Sequence, residues 1–181
     1  LTHRFIKHPP NAQDPLNDLS DYYKHQLPYL DDQVVHLDAN GKILTTFSIL
    51  DAIGNSRFAH LADPLRLQGR LQHDQRTDYD PLHPNAIQYI THALAKTQPW
   101  LEEGDLLINL RHINALLLMH AKTGKLKQLV TGPWFYGHDA QILPNGHLLI
   151  FDNLSQWPIS RIIKYDLNQE KIMWSFSRDE T

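Results

Sequence analysis

The chain has 181 residues, 41% of them hydrophobic and 20% charged, a composition able to bury one globular core or part of one. A formal net charge of -3, with no Lys/Arg run interleaved with aromatics, offers no basic field to a nucleic-acid backbone. The lack of cysteine excludes disulfides, thiolate nucleophiles and sulfur-ligated zinc, and the longest apolar run, Ala115 to Met119, is far too short for a membrane span.

Residues 1–33 hold Pro9, Pro10, Pro15 and Pro28 among polar residues without a sustained period. They read as an irregular connecting segment with one short helical turn around Leu19 to Tyr23. The chain opens on Leu1 with no signal sequence, so a mature or trimmed product is expected. From residue 34 the pattern sharpens. Val34 to Leu37 is strand-like, Asp38-Ala39-Asn40-Gly41 is a turn, and Lys42 to Ser48 is a second strand, which makes 34–48 a hairpin. Leu50 to Ile53, followed by Gly54-Asn55, reads as a short helix with a stop signal. The remainder of 49–82 is a polar excursion holding Arg57, Arg66, Arg70 and Arg76.

Short strands then follow in two sets of four: Asn85–Ile90, Asp105–Leu110, Ala115–His120 and Lys125–Val130, then Ala140–Leu143, His147–Phe151, Arg161–Tyr165 and Lys171–Phe176. Pro144-Asn145-Gly146 is a tight-turn signal, since Asn and Gly tolerate positive φ. The two sets align. Gly104-Asp105-Leu-Leu-Ile108 matches Gly146-His147-Leu-Leu-Ile150 at a spacing of 42 residues, and Lys125 and Lys171 open the fourth strands 46 apart. A period in the forties with four strands per repeat predicts an all-β protein of the β-propeller type, in which 83–131 and 132–177 are blades and 34–48 a blade remnant. About two and a half blades cannot close a ring. Residues 34–181 are therefore expected to be part of a longer propeller, whose open blade edges invite self-association.

The repeat also indicates where chemistry belongs. His83 and His138, 55 residues apart, each stand just before the first strand of a blade, the strand that lines a propeller's channel. They are expected to converge, each with a polar neighbour, Asn85 and Asp139. Asp152 and Asn153 end a second strand and so return to the same end of the sheet. Arg111 closes one strand and Arg161 opens another. Histidines and arginine together suit an anionic group, because guanidinium is a planar fork of donors and imidazole serves as donor, base or nucleophile near neutral pH. The other ten histidines, His112 among them, have no such positional argument and read as surface or turn residues. No local ligand motif points to a metal, and no cofactor is expected.

The succession Asp80-Pro-Leu-His83-Pro-Asn85, Gly104-Asp105-Leu-Leu-Ile-Asn-Leu-Arg111, Thr123-Gly124-Lys125, Gly137-His138-Asp139, Leu143-Pro-Asn-Gly146, Phe151-Asp152-Asn153 and Ser160-Arg161 resembles the arylsulfate sulfotransferase (aryl sulfotransferase) propeller family. The resemblance runs from about residue 34 to the end. It implies a six-bladed propeller that moves a sulfuryl group from a phenolic sulfate ester to a phenol without a nucleotide donor, in a periplasmic or secreted setting. It also implies that His83 and His138 match motif histidines of the central site and Arg161 its sulfate-binding arginine. The family's sulfated histidine lies in a later blade than these. Asn85, Arg111, Asp139 and Asn153 are then expected to contact substrate. Trp100, Trp134, Trp157 and Trp174 read most simply as blade packing, but Trp134 and Tyr136, with Phe135, stand beside His138 and could wall a phenol.

Two other readings come from different classes. One is a non-catalytic propeller that binds a protein or glycan; the other, ranked lower, is a quinone-dependent oxidoreductase propeller, whose repeats carry regular tryptophan signatures.

Overall fold

The computed structural model describes residues 2–6, 29–61, 80–156 and 159–178. The helical turn expected at Leu19 to Tyr23 and the arginines Arg66, Arg70 and Arg76 lie outside the described residues. The chain divides into two compact units, Leu1–Leu82 and His83–Thr181.

In the first unit β1 (Thr2–Ile6), β2 (Tyr29–Leu37) and β3 (Ile43–Ser48) form an antiparallel sheet in that order. The β2–β3 turn closes on Asp38, whose Oδ1 accepts the N–H groups of Asn40 at 2.8 Å and Lys42 at 2.9 Å, an Asx-type turn. β1 lies inside the segment expected to be irregular. Five residues, the first three of them polar, carry no legible alternation, and the strand exists through its ladder to β2. At the end of β3, Ser48 caps α1 (Ile49–Gly54): its Oγ accepts the Asp51 N–H at 3.0 Å and donates to Asp31 Oδ1 at 2.5 Å. Ile49 and Ile53, one turn apart, are fully buried.

In the second unit β4 (Pro84–Tyr89), β5 (Asp105–Leu110), β6 (Ala115–His120) and β7 (Leu126–Thr131) form one four-stranded antiparallel sheet in chain order. β8 (His138–Ile142), β9 (Leu148–Gln156), β10 (Ile159–Asp166) and β11 (Lys171–Ser177) form a second with the same order. These are the two four-stranded repeats read from the sequence, and the protein is all-β with propeller-type blades. The only helix in this unit among the described residues is α2 (His92–Ala95), in the β4–β5 connection, where Thr91 Oγ1 accepts the Leu94 N–H at 3.3 Å. The sequence reading did not anticipate it. Among the described residues, no helix is long and apolar enough to cross a membrane.

Alternation along each strand sends Leu107, Leu116 and Leu118 of the first blade toward Ala140, Ile142, Leu148, Ile150, Ile163 and Tyr165 of the second. Each of these leucines and isoleucines contributes roughly 1.5–3 kcal/mol by leaving water. The other face of the first blade, with Leu106, Ile108, Leu110, Leu117 and Met119, is buried as well. This explains why β5 and β6 read as continuous apolar runs instead of alternating ones.

Side-chain amides join the two blades. β8 is an edge strand, so its outward backbone groups need partners. Gln88 of β4 supplies both kinds at Ile142, donating Nε2 to the carbonyl at 3.0 Å and accepting the N–H on Oε1 at 2.7 Å. Asn85 and Asn109 donate to the Gly137 carbonyl at 2.9 and 2.6 Å, and Gln98 donates to that of Gly146 at 2.8 Å. The first strands of the two blades therefore lie side by side.

Candidate active site

Each first strand contains a bulge. In β4 the pairing steps from Pro84–Leu110 to Ala86–Asn109, leaving Asn85 extra; in β8 it steps from His138–Phe151 to Gln141–Leu149 around Asp139 and Ala140. An extra residue kinks the strand and re-aims its side chains. Non-glycine residues with left-handed backbone gather at the same end of both sheets: His83 (φ 51°), Asn114 (φ 53°), Tyr136 (φ 52°) and Asp139 (φ 51°). Asn and Asp tolerate this geometry; for His83 and Tyr136 it costs on the order of 1–3 kcal/mol each, and such strain concentrates where side chains must be aimed. Tyr136 is held in it by Asn114, whose Oδ1 accepts its N–H at 2.8 Å.

The aimed side chains meet. The His83 and His112 rings lie 4.7 Å apart between centroids, and His112 meets Tyr136 edge-on at 5.9 Å. Arg111 places its guanidinium carbon 4.4 Å from the Tyr136 ring centre, a cation–π contact, while its backbone N–H donates to the His83 carbonyl at 3.2 Å. Arg111 Nη1 stands 2.7 Å from His112 Nε2. Guanidinium can only donate, so that nitrogen of His112 accepts. Phe135, 42% exposed, leans on Tyr136 at 4.6 Å.

His138, the first residue of β8, is partly buried. Its pKa lies below the ordinary 6.5, first because burial penalises the charged ring; the Tyr136 carbonyl opposes the shift, and the positive charges of Arg111 and His83 reinforce it. Burial thus favours the neutral ring. Asn153, returning on β9, places Nδ2 2.6 Å from the Tyr136 carbonyl oxygen and 2.5 Å from His138 Nδ1.

The structure thus brings together His83, His138, Arg111, Tyr136 and Asn153 from the expected set. The other four have the following partners. Asn85 is spent on the Gly137 carbonyl and on Asn109. Asp139 is exposed, and its Oδ1 accepts from Gln141 Nε2 at 3.2 Å. Trp134, expected as part of an aromatic wall, is 3% exposed and packs edge-on against Tyr165 in the core at 5.7 Å, so the exposed aromatic surface falls to Phe135. Arg161 pairs through Nε with buried Asp152 at 2.9 Å and donates Nη2 to the Pro133 carbonyl at 3.2 Å. Asp152 also accepts the Phe135 N–H at 2.9 Å, so the pair braces the segment that carries Tyr136. Sequence reasoning missed His112. Its one signal was the residue before it, since the turn that returns β5 into β6 must present Arg111 and His112 together.

Two comparisons with known proteins, one against curated proteins and one against solved structures, gave no match. The family model described as Arylsulfotransferase (ASST) matches residues 16–179. A match over nearly the whole of a chain built from propeller-type blades places this protein in the arylsulfotransferase family.

Proposed function

We propose that the protein serves nucleotide-independent sulfuryl transfer from an aryl sulfate to a phenol, and that the sulfuryl group is handled at the cluster of Arg111, His83 and His138. The observation that carries this reading is the meeting of a guanidinium and three imidazoles at the strained strand ends of two blades, beside the Phe135 and Tyr136 rings. Charge in a loose sulfuryl-transfer transition state sits on the non-bridging oxygens, and donors fixed around them supply most of the acceleration. In our reading Arg111 and His138 are those donors, and His83 carries the proton. The donor's bond from sulfur to aryl oxygen breaks with its electron pair on that oxygen, which takes a proton from the His83 imidazolium. Sulfur bonds meanwhile to a nitrogen of the family's sulfated histidine, which the resemblance places in a later blade. In the return half the acceptor phenol gives its proton to His83, and its oxygen bonds to sulfur as the nitrogen–sulfur bond breaks.

Arg161, the sulfate ligand by resemblance, is in this reading the brace of the site. The test follows phenolate release from a chromogenic aryl sulfate with excess phenol. Arg111→Ala is expected to lower kcat about 10²–10³-fold, as for removal of one oxyanion donor. Arg161→Ala should lower activity and urea midpoint together. Unimpaired turnover by Arg111→Ala would remove it from the site; no phenol-dependent release from folded wild-type protein would sink the transferase reading.

A further inference from the structure

Two arginines of the second unit are held in opposite ways. Arg161 sits on a carboxylate, its Nε 2.9 Å from buried Asp152, so a full counter-charge matches its own. Arg111 is held by uncharged groups: Nη1 stands 2.7 Å from His112 Nε2, and the guanidinium carbon lies 4.4 Å from the centre of the Tyr136 ring. No carboxylate pairs with Arg111 among the described residues. The contact with His112 fixes which group donates. Every guanidinium nitrogen donates and none accepts, so at 2.7 Å the imidazole nitrogen must present its lone pair, and a ring that accepts there carries no net charge.

One short turn builds the arrangement. Successive side chains of a strand point to opposite faces, but Arg111 and His112 stand in the turn from β5 to β6, where they come together. The Arg111 N–H donates to the His83 carbonyl at 3.2 Å, and the Asn114 N–H donates to the Arg111 carbonyl at 3.3 Å. Asn114 Oδ1 in turn accepts the Tyr136 N–H at 2.8 Å. The same turn therefore supplies the guanidinium, the acceptor that orients it and the anchor of the aromatic face beside it. We propose that His112 is a positioning residue for Arg111: it accepts one guanidinium N–H without neutralising the charge, which keeps that charge and the remaining donors for the sulfuryl oxygens of the ligand. This deepens the transfer reading and rests on Arg111 belonging to that site. A carboxylate would orient the fork more strongly, but would compete with a bound anion for the same charge. The imidazole separates orientation from neutralisation, and the Tyr136 face adds a second support that leaves the charge in place.

The test is calorimetric titration of the 181-residue chain with inorganic sulfate, at an ionic strength held constant with chloride, for the wild type, His112→Gln, His112→Phe and His112→Glu. Urea midpoints identify the variants that fold. His112→Gln keeps a neutral acceptor and should bind sulfate nearly as the wild type does. His112→Phe keeps a ring but no acceptor, and its dissociation constant should rise about tenfold. His112→Glu accepts more strongly yet should abolish binding, because Arg111 is then paired as Arg161 is. A residue needed only for structure would be served by Glu at least as well as by Gln, so wild-type affinity in His112→Glu overturns the proposal. Loss of binding in folded His112→Gln, unchanged affinity in His112→Phe, or no sulfate binding by the wild type overturns it too. Where His112→Phe does not fold, the Gln and Glu variants decide. Binding is read without turnover, so the expected order of affinities in a protein with no phenol-dependent release refutes only the transfer reading. Equal affinities in a chain that turns over refute only the role given to His112.

Discussion

At the residue scale the site depends on groups that never touch a ligand. Asp152 is fully buried, faces Arg161 Nε at 2.9 Å and accepts the Phe135 N–H. Removing one partner of a buried pair leaves the other charge without its counter-ion. Asp152→Ala is therefore expected to cost about 3 kcal/mol, read as a fall in the urea midpoint, whereas Asp152→Asn, which keeps an acceptor for Phe135, should cost less. Equal losses would mean that the charge is immaterial. His138 gives a pH signature. Its folded pKa lies below 6.5, so as the pH falls through 6.5 the unfolded chain takes up a proton before the folded one, and stability declines. Above that value its contribution is fully present. His138→Gln should thus lose less stability than the wild type between pH 7.5 and 5.5; parallel slopes would refute the inference. The depressed pKa of Asp166, set by the Gln169 and Asn168 N–H groups, acts only at more acid pH and leaves this window clear.

At the element scale the question is what joins one blade to the next. Gly146 ends the β8–β9 turn at φ +81°, and a Cβ there would stand 2.9 Å from the Thr97 carbonyl oxygen, which belongs to the connection of the preceding blade. Gly41 has the same φ of +81° in the β2–β3 turn with nothing within 4 Å. Both alanine substitutions pay for left-handed backbone, about 1–2 kcal/mol. Only Gly146→Ala must also displace backbone and disturb the Gln98 bond to the Gly146 carbonyl. Thermal melts should therefore show Gly146→Ala below Gly41→Ala by an amount worth at least about 1 kcal/mol; equal melting temperatures would show that the blades do not rely on this contact. Gln88 gives the complementary case. It alone satisfies the Ile142 N–H and C=O across the blade boundary, so Gln88→Leu should cost on the order of 1–3 kcal/mol.

At the scale of the whole molecule the two blades are unequal. The inner strands β5 and β6 of the first are buried on both faces, whereas the second shows an apolar surface: Phe151, Ile162 and Phe176 align across β9, β10 and β11, and Trp174 stacks near Phe176 with ring centres 6.3 Å apart. Trp174 and Phe176 are 48% and 56% exposed. Exposed contiguous apolar surface beside an open strand edge favours association. Sedimentation of the chain is accordingly expected to depend on concentration, and Trp174→Lys with Phe176→Lys to abolish that dependence; a monomer at all concentrations would show that the edge and face are protected in solution.

Much of this architecture was determined by sequence alone. The eight strands of the two blades, the glycine turns and the 42-residue spacing are local or periodic signals, because strand alternation and positive-φ turns depend on neighbours along the chain. His83, His138 and Arg111 could be placed at strand ends for the same reason. Tertiary structure alone decided what crosses between strands and sheets. It brought His112 to His83, gave Arg161 to Asp152, put Trp134 in the core and set Asn153 against His138 Nδ1, since register, bulges and the packing of one blade on the next determine which side chains meet.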